Sequence, residues 1–256
     1  MDTRHLNPEL ALPQIRAIPL ERPLVWLWRG WQDLRANPLP SLAYGLLFGL
    51  GGDLILLASL SHPHLFTLAL SGFFLVAPFL AVGLYELSRA RAVDLRLGFV
   101  DSLRGPGRNP ASLSLFGLAL ALLTLAWERL SAILFALLGP TDGQDAVGVL
   151  LPLLTDLEHW PLLLTWLATG GSLALLVFAL SVVAIPMLLD RERSDPVAAA
   201  VTSLACVARN PLAMLIWGAL IVALVLLGFA TLLFGLVLFM PLLGHASWHA
   251  YKDLVE

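Results

Sequence analysis

Between Leu212 and Leu243 the chain runs for 32 residues without a charged side chain. An uninterrupted apolar run of that length is the signature of a segment dissolved in lipid. As one helix it would be about 48 Å long against a hydrocarbon core of about 30 Å. A tight turn near Gly228 is therefore expected to divide it into two crossings. The rest of the chain agrees: 59% of residues are hydrophobic and 13% charged, with a mean hydropathy of +0.85, whereas a soluble domain carries about 25% charge.

Four further crossings are read from the apolar runs Leu39–Leu60, Leu65–Leu87, Ala111–Leu138 and Pro161–Leu189. The very short Ser61–His64 turn forces the first two into an antiparallel hairpin. Every Lys and Arg except Arg129 falls in the segments between hairpins or at the termini, which by the positive-inside rule are cytoplasmic. The opposite loop, Gly139–Trp160, has acids but no base. Before each hairpin lies an amphipathic stretch, around 24–34, 97–104 and 196–208, ending in Asn37-Pro38, Asn109-Pro110 and Asn210-Pro211. Pro78 and Pro241 are each followed by an aromatic seven residues on and a base eleven residues on. The expected architecture is all-α: six transmembrane helices as three hairpin repeats (24–91, 97–193, 194–256), each preceded by a cytoplasmic interfacial helix. Residues 1–23 are expected to form a flexible cytoplasmic tail, since Pro8, Pro13, Pro19 and Pro23 interrupt it. Trp26, Trp28, Trp31, Tyr85, Trp248 and Tyr251 are expected to anchor the bundle at the headgroup layer, where an amphipathic ring has one wet and one apolar side.

The stretches Trp28–Pro38, Val82–Arg89 and Gly244–Tyr251 resemble the DUF2189 family of bacterial integral membrane proteins, with a resemblance that extends from about Trp26 onward. The family's function is unknown, so the resemblance implies an inner-membrane location and transfers no catalytic or binding residue.

Few side chains offer chemistry. Asp53 lies about 21 Å into the first crossing, and Glu128 and Arg129 lie about 27 Å into the third. A charge at such depth costs a few kcal/mol and should face protein or water, so an Asp53–Arg129 pair is expected. Gly45, Gly49 and Gly52 give the first helix a small-residue face for close packing. His62 and His64 on the outer turn, and His245 and His249 one helical turn apart, are weak metal candidates; solvated loops and a polar interfacial edge are the ordinary readings. No nucleophile elbow, zinc-protease, phosphate-loop or dinucleotide motif is present, and no cofactor is expected. The single cysteine, Cys206, excludes an intrachain disulfide. The function expected is non-enzymatic: an accessory, scaffold or regulatory component of a membrane assembly. Its expected partners are membrane lipids, other membrane proteins or a second copy, and not nucleic acid. The alternative is an ion or small-molecule transporter using Asp53, Glu128 and Arg129.

Overall fold

The computed structural model describes residues 13–61, 80–138, 158 and 160–256. His62, His64, Pro78, the start of the second crossing and most of the acidic loop lie outside the described residues. The elements are α1 (Arg22–Ala36), α2 (Pro38–Ser61), α3 (80–91), α4 (Phe99–Ser102), a 3₁₀ turn (Gly105–Arg108), α5 (Pro110–Leu138), α6 (Trp160–Ser181), α7 (Ala184–Asp190), α8 (Pro196–Arg209), α9 (Pro211–Ala230) and α10 (Leu236–Leu254). Among the described residues three helical segments are long and apolar enough to cross a membrane: Pro110–Leu138, Trp160–Asp190 and Pro211–Ala230. Their outer faces carry exposed leucines such as Leu118, Leu122, Leu215 and Leu226, the arrangement that lipid as a solvent permits.

The long uncharged run is divided, a few residues later than expected. Leaving α9 at Ala230, the backbone turns through Leu232 and Leu233, both with positive φ (52° and 68°). Leucine rarely adopts this left-handed region. Thr231 holds the turn: its hydroxyl donates to the Gly228 carbonyl and accepts from the Gly235 N–H, each at 2.8 Å.

The three Asn-Pro junctions share one backbone conformation. Asn37, Asn109 and Asn210 have φ/ψ of −139/65, −144/64 and −128/49. Each ends one helical element, and the following proline opens a helix, where its missing N–H costs nothing. Each side-chain amide then donates to the segment leading into another part of the chain: Asn37 to Leu97 O (2.7 Å), Asn109 to Ser194 O (3.0 Å) and Asn210 to Arg16 O (3.0 Å). The third contact is reciprocal, since the Ile18 N–H donates to Asn210 Oδ1 at 2.9 Å. From Gln14 on, the segment expected to be a flexible tail is therefore bound. Ile15 bridges Val255, Arg16 N–H donates to Leu254 O, and Glu256 N–H donates to Gln14 O.

Two expectations about the amphipathic stretches need correction. The middle one is only the four-residue α4 and a 3₁₀ turn, because Gly105, Pro106 and Gly107 end it. In α1 the buried positions are Trp26, Gly30, Asp33 and Leu34, while Leu24 and Trp28 are each 59% exposed. The apolar residues are divided between the two sides, Trp26 and Leu34 inward and Leu24 and Trp28 outward, and the inward face also carries the carboxylate of Asp33. Burial also relocates most of the aromatic anchors. Trp26, Tyr85, Trp248 and Tyr251 are buried in the core, Trp31 is half-buried, and Trp28 alone of the six is exposed. Trp26 packs edge-on against Trp217 at 5.6 Å and donates its indole N–H to Asp253 at 2.7 Å; Asp253 also holds Arg22 and Arg29.

Candidate functional site around Asp33

The buried face of α1 brings a carboxylate into contact with α3 and α10. Gly30 makes this possible: a Cβ there would lie 2.7 Å from Ala246 N and 2.9 Å from Leu242 O, so only glycine lets the two backbones approach this closely. One turn further along α1, Asp33 reaches three donors. Its Oδ1 accepts from Arg91 at 2.7 Å, and its Oδ2 accepts from the Ser88 hydroxyl at 2.6 Å and lies 2.9 Å from His249 Nε2. Burial pushes the carboxyl pKa up, but the hydrogen bonds and charge around it, led by the bond to His249, outweigh this and hold it below the ordinary carboxylate range.

Beyond Ser88 the chain of contacts continues inward. His245 Nδ1 is 2.7 Å from Ser88 Oγ, and its Nε2 is 2.8 Å from Ser41 Oγ on α2. His245 is 1% exposed, and burial drives its pKa down to about 4 against the opposing pull of Asp33, so the ring is neutral at pH 7. Proton counting then assigns the tautomer. The Ser88 proton goes to the Asp33 carboxylate, so Nδ1–H donates to Ser88 Oγ and Nε2 is left to accept from Ser41. The Ser41 hydroxyl also lies 2.8 Å from the Asn37 carbonyl and shares its proton between the two acceptors. One hydrogen-bonded path thus runs Asp33, Ser88, His245, Ser41, Asn37 through four helices.

Beside this path opens a cavity of about 220 Å³ lined by Asp33, Asn37, Leu87, Arg91, Asp94, Arg96 and His245, with Ala36 and Leu95. Among the described residues no group of three His, Cys, Asp or Glu is placed to hold a metal. Ser41 is fully buried and the polar atoms satisfy one another, so the arrangement ties helices together and presents a charged pocket; it does not offer an exposed nucleophile.

The pH dependence follows in sign. The unfolded chain protonates a histidine near 6.5 while folded His245 resists until about 4, so its contribution is complete above pH 6.5 and is lost as pH falls toward 4. Asp33, whose folded pKa is depressed, loses its contribution as pH falls lower still, through that pKa. Thermal stability in detergent is expected to fall steadily between pH 7 and 5, and His245→Asn should flatten that slope. A slope unchanged in the variant would refute the assignment.

The other residues singled out from sequence are dispersed. Asp53 is half-buried, with no hydrogen bond or ion pair among the described residues. Arg129 pairs with its neighbour Glu128 at 3.2 Å, its side chain 70% exposed. The expected Asp53–Arg129 pair is not formed. Gly45, Gly49 and Gly52 do pack closely, against Val237 and Leu233. His245 and His249 belong to the buried cluster, not to a polar edge. Asp33, Ser88, Ser41 and Arg91 were not singled out; the available signal was Trp26, Gly30 and Asp33 at positions i, i+4 and i+7 of α1, which marks the packed face.

Comparison with known proteins adds one finding: residues 65–190 match the family model for a predicted integral membrane protein, DUF2189. The chain is a DUF2189 protein over those residues. The matched segment is narrower than the resemblance read from sequence, and it leaves out Trp28–Pro38 and Gly244–Tyr251. No curated protein and no solved structure matches the chain. Within the DUF2189 segment lie Ser88, Arg91 and the loop carrying Asp94 and Arg96; Asp33, Ser41, His245 and His249, which complete the cluster, lie on either side of it.

Proposed function

We propose that this DUF2189 protein is a non-enzymatic inner-membrane component that organises or regulates other membrane proteins, built as three hairpins crossing six times with both termini in the cytoplasm. The observation that carries this reading is where charge is spent. The buried carboxylates Asp33 and Glu86 pair with Arg91 and Arg89, and Asp253 pairs with Arg22 and Arg29, all in the segments where the chain termini and the basic stretches lie. Asp53 makes no ion pair with Glu128 or Arg129, which pair with each other, and the Arg129 side chain is 70% exposed. The repeated Asn-Pro conformation, each amide holding the segment that precedes another hairpin and the last returning to residues 16–18, supports the threefold organisation.

The test is purification in mild detergent alongside reconstitution in liposomes. The expected result is a defined complex of fixed stoichiometry that persists in Asp53→Asn and is lost in Asp33→Asn, with no ion or solute flux in liposomes. A solitary protein whose liposomes show flux abolished by Asp53→Asn would overturn the proposal in favour of a transporter.

A further inference from the structure

We propose that the cavity beside Asp33 binds a phosphate–ammonium zwitterion, the head of an ethanolamine phospholipid. The lining carries two bases and two acids, but they are not equally engaged. Asp33 is saturated by Arg91, Ser88 and His249. Arg91 spends one of its five N–H donors on Asp33 and keeps a side chain 41% exposed. Asp94 and Arg96, on the turn that follows α3, are exposed, and neither side chain has an ion pair or hydrogen bond among the described residues. The pocket therefore presents free guanidinium donors from Arg91 and Arg96 and one free carboxylate, Asp94. Asp94 is fixed in a left-handed turn conformation, φ 56°, that aspartate tolerates.

A pure anion would leave Asp94 opposing it, and a pure cation would meet two arginines. A ligand carrying both charges a few bonds apart meets complementary groups at each end. Phosphate suits the arginines, which recognise it with paired N–H donors. A primary ammonium suits Asp94, because it has N–H bonds to give and a quaternary ammonium does not. Leu87, Leu95 and Ala36 offer apolar wall, and Val93 and Leu95, each 59% exposed, flank the turn on the side expected to meet lipid. His245 lines the cavity, is neutral there and adds no competing charge, while His249 is held by Asp33.

The inference rests on the proposed placement of this end of the bundle at the headgroup layer. The test uses the purified full-length protein, stripped of lipid and exposed to mixed micelles containing equal amounts of phosphatidylethanolamine, phosphatidylcholine and phosphatidylglycerol with identical acyl chains. Retained lipid is quantified by mass spectrometry. The ethanolamine lipid is expected to be retained about tenfold over either other lipid, the ratio that one charge-assisted hydrogen bond supports. Asp94→Asn and Arg96→Gln are both at exposed positions and are expected to leave the thermal transition unchanged; Asp94→Asn should bring retention toward parity, and Arg96→Gln should lower retention of all three lipids, which share the phosphate. Free phosphoethanolamine that binds with the same dependence on Asp94 and Arg96, without lipid enrichment, supports zwitterion recognition and moves the source to a soluble ligand. Equal retention of the three lipids with no phosphoethanolamine binding overturns the proposal, as does enrichment that survives Asp94→Asn or total retention unchanged by Arg96→Gln. A protein that is solitary in detergent yet enriches the ethanolamine lipid contradicts the organising role proposed above and leaves this site standing.

Discussion

Asparagine at position 33 is expected to destabilise the protein by about 3 kcal/mol, the loss typical of breaking one side of a buried, hydrogen-bonded ion pair. The change is nearly isosteric, so packing is conserved and the effect is electrostatic. Asparagine offers one carbonyl oxygen where the carboxylate offered two, and its NH₂ faces a donor. Arg91, Ser88 and His249 now converge on a site that can accept from at most two of them, and Arg91 is left without its counter-charge. Ser88 would then compete for its partner with His245, so the disturbance should extend to Ser41 on α2. Unfolding in detergent, followed by the tryptophan signal and compared with Asp94→Asn at an unpartnered exposed site, is the measurement. The control should lie within about 0.5 kcal/mol of the parent. Equal effects at the two positions would mean that the Asp33 cluster does not hold the helices together. A double substitution with Arg91→Gln should cost less than the two singles combined, because the second change removes a charge the first had already stranded.

What was legible in the sequence follows from which solvent each residue type prefers. Runs of predominantly apolar side chains marked the crossings Ala111–Leu138 and Pro161–Leu189 to within a few residues, and the excess length of Leu212–Leu243 required the turn found at Thr231–Gly235. Asp195 caps α8, its side chain accepting from the N–H groups of Val197 and Ala198. What the pattern could not supply was the direction in which α1 faces. Apolar periodicity identifies an amphipathic helix, but in α1 apolar residues lie on both sides: Trp26 and Leu34 pack inward while Leu24 and Trp28 face outward. Trp26, expected at the headgroup layer, is found in the core. The cluster itself was illegible for a second reason: Asp33, Ser88 and His245 are separated by long stretches of chain, and each taken singly is an ordinary polar residue near a helix end. Their meaning comes from the approach of α1 to α10 at Gly30, and a backbone contact leaves no periodic trace.

The glycines of α2 provide the second large effect, and they separate packing against backbone from packing against side chain. Sequence spacing treats Gly45, Gly49 and Gly52 alike, but their surroundings differ. A Cβ at Gly45 would lie 1.9 Å from the Val237 carbonyl oxygen, with the Val237 carbonyl carbon and Cα at 2.7 and 2.9 Å. None of these atoms can rotate away, so relief requires moving α10 bodily from α2. A Cβ at Gly49 meets the Val237 Cγ2 at 3.2 Å and one at Gly52 meets the Leu233 Cδ1 at 3.1 Å, both ends of side chains with other rotamers. Gly45→Ala is therefore expected to cost about 3 kcal/mol, the upper part of the range for overpacking, while Gly49→Ala and Gly52→Ala should each stay within about 1 kcal/mol, because alanine's better helix propensity offsets part of the crowding. Parallel thermal unfolding of the three variants checks the ranking. Separating α2 from α10 at Gly45 also pulls Ser41 from His245, since that bond joins the same two helices one turn away. Gly45→Ala should for that reason weaken the pH dependence assigned to His245, whereas Gly49→Ala should not. Equal losses at positions 45 and 49, or an unaltered pH profile in Gly45→Ala, would show that the close approach of these helices is not what holds the buried histidine.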